Sequence, residues 1–133
     1  MILFIFALLP EAQPFLQRLK LKKHSPGNRL EIYLNDEYAV LITGIGKVPA
    51  AVRTARALQL PELADVLRVV NLGICGCGDM TAPVGKCFLI NNIREMATGR
   101  TFFPDMLERH SFTEGTLVTV DRPQKGGPEE SLV

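Results

Sequence analysis

The sequence has no tryptophan, two tyrosines and seven phenylalanines in 133 residues. It is therefore short of the aromatic platforms on which single-stranded nucleic acid stacks. It also lacks an excess of either charge, with 15 Lys and Arg against 14 Asp and Glu and a net charge of +1. The one basic cluster, RLKLKKH at residues 18–24, reads as the polar end of a helix rather than a phosphate footprint. Together these deficits predict no nucleic-acid partner. Cysteine is scarce and odd in number: Cys75, Cys77 and Cys87. Two of them are one residue apart, which suits no ordinary disulfide, so reduced thiols in a cytoplasmic protein are expected. No CxxC occurs and His24 and His110 stand alone in the sequence, which predicts no metal site. The apolar opening, MILFIFALLP, falls well short of the roughly 20 residues of a membrane span. It has no preceding basic residue and no small-x-small cleavage site, so it is read as a buried first strand, with no membrane partner.

What is present is a 47 % hydrophobic chain, long enough for one domain with a core and short for two. A single α/β domain over residues 1–133 is expected. Ile2 to Ala7 is almost wholly apolar without alternation, as in a strand covered on both faces. A helix follows, with Phe15, Leu16 and Leu19 at helical spacing. Proline is tolerated in a first helical turn, so Pro14 predicts a start near Pro10 or Glu11. KKHSPGN, residues 22–28, reads as a loop. RLEIYL (29–34) and EYAVLITG (37–44) read as strands about an Asn35-Asp36 hairpin turn. Val48, Val52, Ala55 and Leu58 recur at helical spacing. A buried strand is expected at Leu67 to Leu72, and further strands at Lys86 to Ile93 and Thr116 to Val120. Between these last two lies an irregular stretch, with a short helix suggested at Pro104 to Arg109. DRPQKGGPEES reads as a polar loop. The order implies a mixed, mainly parallel sheet flanked by helices, a three-layer sandwich. Sites in such folds gather beyond the carboxyl ends of strands.

Two of those ends carry glycine. VVNLGICGCGDMTAPVG, residues 69–85, contains G-x-x-G-x-G rather than the dinucleotide G-x-G-x-x-G, and no P-loop signature occurs. A loop bringing backbone amides against a ligand and a turn with nothing bound both fit this spacing. TGIGKVPAA, residues 43–51, is a second glycine-bearing strand-to-helix junction, where helix amides favour an anion or a polar sugar group. Lys47 serves an anion on one reading and is an exposed helix-start charge on the other. Glu11, between a strand end and a helix start, is the best acid–base candidate, although as a lone residue it reads first as a helix-start charge. Phe102 and Phe103, in a loop, mark either a binding or subunit surface or a core plug. His110 has no visible partner and reads as a surface histidine.

ITGIGKVPAAV followed by VVNLGICGCGDMTAPVGKCFLINNI resembles the nucleoside phosphorylase and nucleosidase superfamily. The resemblance is nearest to its methylthioadenosine/S-adenosylhomocysteine nucleosidase and futalosine hydrolase branch. Thr43 to Val48 matches an SGIGKV-type pattern. Asn71-x-Gly73-x-Cys75-Gly76 matches a strand end of the type NxGxAGG, with Cys77 in place of the last glycine. Val84-Gly85-Lys86 matches a VGD-type strand start. The resemblance covers most of residues 1–95. It implies a nucleoside phosphorylase-like fold, cleavage of an N-ribosidic bond, and no metal or organic cofactor. It implies Glu11 as the carboxylate that orients the attacking water, Ile45 and Gly46 as substrate-lining, and Ile74, Cys75 and Gly76 as the loop along ribose and base. Ile74 departs from the small hydroxyl residue usual there. Phe102 or Phe103 would close the site of a neighbouring subunit in a homo-oligomer. Water is favoured over phosphate as acceptor because no arginine sits in either glycine loop. The late aspartate that protonates the leaving base and the Met-Glu segment that holds the ribose are not found, and PEESLV stands where the latter would begin. The expectation is thus the N-terminal portion of a nucleosidase, inactive by itself. A non-catalytic nucleoside- or phosphosugar-binding module is the alternative, and a self-associating chain with an exposed sheet edge is a third.

Overall fold

The computed structural model describes residues 1–24, 27, 29–77, 83–105 and 109–121, and the statements of structure below concern these residues. Contacts divide the chain into two units, Met1–Ile74 and Cys75–Val133.

In the first unit, strand β1 (Ile2–Phe6) leads into helix α1 (Leu9–Arg18). Strands β2 (Lys22–His24), β3 (Glu31–Leu34) and β4 (Tyr38–Ile42) follow, then helix α2 (Lys47–Ala57), a 3-10 turn at Pro61–Leu63 and strand β5 (Arg68–Asn71). The sheet order is β2-β3-β4-β1-β5. β1 lies parallel to both β4 and β5, while β3 pairs antiparallel with β2 and β4. Period-two alternation sends the two faces into separate cores. Leu3, Ile5, Ile32, Ala39 and Leu41 pack with Ala57 and Leu63 on the α2 side. Phe6, Val40 and Ile42 pack with Ala12 on the α1 side. Helix, sheet and helix therefore form the three layers of the expected α/β class. Each fully buried Leu or Ile contributes roughly 1.5–3 kcal/mol, so β1 and β4 are the spine of this unit.

Three local expectations are corrected. α1 starts at Leu9, one residue before the expected range, and Pro14 lies inside the helix. Pro14 removes one intrahelical bond, and the burial of Ala12, with Phe15 and Leu16 packed on the same cluster, offsets the loss. The helix ends with Leu21 N–H donating to the Leu16 carbonyl at 3.0 Å, and Lys20 in the left-handed region at φ 53°. That closure turns the chain back at once, so Lys22–His24 is a strand rather than loop. The hairpin turn is centred on Asp36-Glu37, because the Asn35 side chain accepts from the Glu37 and Tyr38 amides at 2.9 and 2.8 Å.

β5 is the end strand of its sheet, and it is not the buried strand expected: Leu67 and Val69 are 84 % and 47 % exposed. The Val48, Val52, Ala55 and Leu58 stripe of α2 is also exposed, and Ala57 is the buried residue of that helix.

The second unit holds β6 (Phe88–Glu95), β7 (Thr101–Phe102) and β8 (Thr113–Thr119), in the order β7-β6-β8. β6 pairs antiparallel with β7 and parallel with β8, with a register irregularity between Ile90 and Asn92. β6 lies two residues later than expected, β8 begins three residues earlier, and β7 occupies part of the stretch expected to be irregular. Residues 106–108 of the suggested short helix, and the polar loop from residue 122, lie outside the described residues. No described helix is long and apolar enough to cross a membrane.

Candidate functional site

In the first unit the parallel strands β4, β1 and β5 stand side by side, so their carboxyl ends share one edge. The connection after β1 leads to the β4 side, and the connection after β4 crosses to β5 on the far side. This is a topological switch point, the kind of place where open α/β sheets bind ligands. Three segments rise from it: Ala7 to Glu11, Thr43 to Lys47, and Leu72 to Ile74.

Hydrogen bonds carry the sheet slightly past its strands. Thr43 N–H donates to the Phe6 carbonyl at 2.9 Å, Gly44 N–H to the Ala7 carbonyl at 2.9 Å, and Leu72 N–H to the Ile5 carbonyl at 2.9 Å. The next bond of the β1–β4 ladder would run from Leu8 N–H to the Thr43 carbonyl. Instead Leu8 N–H donates to Glu11 Oε2 at 3.1 Å, and the Thr43 carbonyl accepts from Arg53 Nη1 at 2.8 Å. The Ala7–Leu8 peptide thus turns its carbonyl, not its amide, toward β4, and the Leu8 amide and the Thr43 carbonyl are each bonded by a charged side chain. Such charge-assisted bonds are stronger than neutral ones.

Glu11 is half-buried in the first turn of α1. Its carboxylate faces the positive end of the helix dipole and bonds the amide of Leu8, the residue before the helix. One carboxylate oxygen thus serves the backbone, and a carboxylate has further acceptor capacity for a water or a hydroxyl. The Gly44 and Gly46 turn needs glycine at both places, with φ of 76° and 108°. A Cβ at Gly44 would also meet Arg53 Nη1 at 3.1 Å. Ile45, on this turn, is 75 % exposed, and Ile74, beyond β5, is 85 % exposed. Glu11, Ile45, Gly46 and Ile74 are therefore all carried by adjacent strand tips of the first unit.

Cys75, Gly76, Phe102 and Phe103 belong to the second unit. All three cysteines are exposed and unpaired. Partial burial of its thiol, and then the neighbouring Cys77, hold the Cys75 pKa above that of an ordinary thiol. That disfavours the thiolate and any role as nucleophile. Phe102 and Phe103 are 52 % and 73 % exposed, as a surface role requires and a core plug does not. His110 is not without a partner: its Nε2 lies 3.5 Å from Glu114 Oε1, and the other Glu114 oxygen accepts from Asn91 Nδ2. Among the described residues no three His, Cys, Asp or Glu side chains cluster as metal ligands would. Sequence reasoning missed Thr43 and Arg53. The available signal was a carbonyl at the end of a buried strand, which requires a donor, with an arginine two turns into the next helix.

The sequence profile described as the phosphorylase superfamily matches residues 2–122. No curated protein sequence matches the chain. Among solved structures, the 5′-methylthioadenosine/S-adenosylhomocysteine nucleosidase of Neisseria meningitidis is similar at a TM-score of 0.74 and 21 % identity, over 91 % of this chain and 64 % of that one. The 5′-methylthioadenosine nucleosidase of Arabidopsis thaliana is similar at 0.73 and 18 %, over 91 % and 62 %. A futalosine hydrolase mutant of Helicobacter pylori is similar at 0.69 and 14 %, over 94 % and 70 %. At these identities the likeness is one of fold. The chain spans less than two thirds of the length of the first two.

Proposed function

The chain belongs to the phosphorylase superfamily, and from that premise we propose that it binds a purine nucleoside, such as methylthioadenosine or futalosine, at the β4-β1-β5 tips and serves hydrolysis of its N-ribosidic bond. The observation that carries this reading is the gathering of Glu11, the Gly44–Gly46 turn, Ile45 and Ile74 at adjacent strand tips of one sheet. A carboxylate, a glycine turn and two exposed isoleucines are thereby carried at one edge of the sheet. The isoleucines offer apolar surface to a base or a 5′ substituent, and the backbone near the glycines offers polar contacts to the sugar. Departure of the base leaves an oxocarbenium-like sugar, and Glu11 would align the water that adds to C1′ and take its proton. The base must leave with a proton.

Calorimetry with methylthioadenosine, S-adenosylhomocysteine and futalosine, paired with an assay of base release, tests this. Glu11→Gln should bind within a few-fold of the parent while losing roughly a hundredfold or more in base release. Unchanged release in that variant would remove Glu11 from the chemistry. The Leu8–Glu11 bond favours a second reading, in which the carboxylate only caps the helix and the chain binds a nucleoside without cleaving it. Binding by the parent chain with no base release would select it. We also infer a homo-oligomer, from the exposed apolar stripe of α2 and from Phe102 and Phe103. Sedimentation across a range of concentrations distinguishes it from a monomer.

A further inference from the structure

We propose that a second copy of this chain lays its α2 into an open hollow beside the first copy's α2, and that the two copies do so reciprocally about a two-fold axis. The hollow lies on the α2 side of the first unit's sheet. β5 runs in register with β1, Val69 beside Leu3 and Asn71 beside Ile5, and side chains of such neighbours project to one face. Leu3 and Ile5 belong to the core under α2. Val69 and Asn71, and Leu67 two residues earlier, therefore face the same side. α2 does not reach them. Packed helices sit roughly 8–10 Å apart, about two strand spacings, and Ala57 of α2 is already seated on residues of β1, β3 and β4. Leu67 and Val69 thus stay 84 % and 47 % exposed. The space left beside the helix is an open hollow of ≈ 450 Å³, with Ile5 and Asn71 in its floor and Ala51, Thr54, Ala55 and Leu58 along its wall.

The hollow suits an apolar helix, and α2 itself presents the face that such a helix needs. At 3.6 residues per turn, Ala57 points to the sheet, Ala51, Thr54, Ala55 and Leu58 form one flank, and Val48 and Val52 point away from the sheet. Arg53 and Arg56 fall on the opposite flank. Val48 and Val52 are 73 % and 50 % exposed. When the partner's helix lies beside α2, the alanine-bearing flanks meet, and Leu67 and Val69 of each copy cover the valines of the other. Each α2 is then held between its own sheet and the partner's β5, an isologous contact that mates the whole stripe. A strand added to the β5 edge would leave Val48 and Val52 bare. Val48, Val52, Leu58, Leu67 and Val69 expose about 300 Å² of apolar side chain per copy. At the roughly 60 % apolar share usual in interfaces, two copies bury about 1,000 Å², the lower bound for a specific contact. The dimer is accordingly weak and dependent on concentration. This gives the homo-oligomer inferred above its surface and rests on that reading, not on nucleoside binding.

Sedimentation equilibrium of the full chain, with circular dichroism to confirm folding, tests this. The parent should pass from monomer to dimer as concentration rises. Val52→Glu on the helix and Val69→Lys on the strand should each raise the dimer dissociation constant at least about tenfold, since each buries an unpaired charge. If Val69→Lys fails to fold, Leu67→Lys, at the more exposed place on the same face, takes its part with the same expected loss. An equimolar mixture of the helix variant and the strand variant should associate more tightly than either alone. In that pair the introduced carboxylate meets the introduced ammonium, and the other half of the contact keeps Val52 on Val69. A parent that stays monomeric at every concentration overturns both this proposal and the homo-oligomer. A dimer that survives both single substitutions overturns this surface and leaves the homo-oligomer standing. A dimer lost in Val52→Glu but kept in the strand variant overturns the role of β5, as does a mixture no tighter than its components.

Discussion

The two units solve the problem of holding a sheet together in different ways. In the first, β1 and β4 are central strands covered on both faces, and Leu3, Ile32, Ala39, Val40 and Leu41 are all fully buried. In the second, β6 is the central strand of three, yet every residue of it keeps some exposure, and Val118 on β8 is the one buried apolar residue among those described. Backbone ladders alone contribute modestly once the lost bonds to water are counted. The first unit should therefore owe its stability to apolar burial, and the second far less so.

The largest expected effect follows directly. Leu41→Ala removes a side chain with no exposure from the middle of β4 and should cost roughly 3–5 kcal/mol in a cavity that cannot collapse. Val118→Ala, at the best-buried place of the second unit, should cost about 1–2 kcal/mol. Urea unfolding of both variants measures the difference. Equal losses would break the contrast, because they would mean that the second sheet is packed as tightly as the first.

A smaller effect sharpens the contrast at the level of single turns. Gly44 and Gly99 both adopt left-handed backbone, at φ 76° and 69°. An alanine at either position carries a backbone penalty of roughly 1–2 kcal/mol. At Gly99 a Cβ meets nothing within 4 Å, whereas at Gly44 it meets the Arg53 guanidinium at 3.1 Å. Gly44→Ala should therefore cost about 1 kcal/mol more than Gly99→Ala, the margin being the weakened bond from Arg53 to Thr43. Thermal unfolding of the two variants reads that margin. Equal losses would mean that Arg53 moves aside freely.

The same contrast explains what the sequence made legible. β1 and β4 were readable because local pattern and burial agree there: Ile2 to Phe6 is apolar throughout, and the strand is covered on both faces; α2 was readable as a helix from spacing, although the stripe that gave it away is exposed. Glycine at 44 and 46 was legible as a turn because no other residue accepts that backbone easily. β5 looked buried because Val69 and Val70 are apolar, but the covering of a strand is set by its neighbours, and β5 has β1 on one side only among the described residues. β2 was hidden because its residues, Lys22, Lys23 and His24, carry no strand signature; their pairing follows from the left-handed Lys20, a tertiary event. Of the candidate site, Glu11, Ile45, Gly46 and Ile74 could be placed on strand tips from periodicity alone. The bond from Arg53 to the Thr43 carbonyl could not, since it depends on how α2 packs beside β4.

The smallest effect concerns Cys75, where the second unit begins. Its exposure suggests a freely reactive thiol, but burial first, and then Cys77, raise its pKa above the ordinary value. A raised thiol pKa means less thiolate at neutral pH and slower alkylation. The sign for stability follows from proton linkage: above the unfolded thiol's pKa the folded chain holds a proton that the unfolded chain has released, so this contribution is lost as pH rises through the folded value. Iodoacetamide labelling across alkaline pH, resolved by residue with mass spectrometry, should place the midpoint for Cys75 above that of a free cysteine in an unfolded peptide of the same sequence. Coincident midpoints would mean that even this partial burial is absent in solution. The second unit would then be more open still than its single buried valine implies.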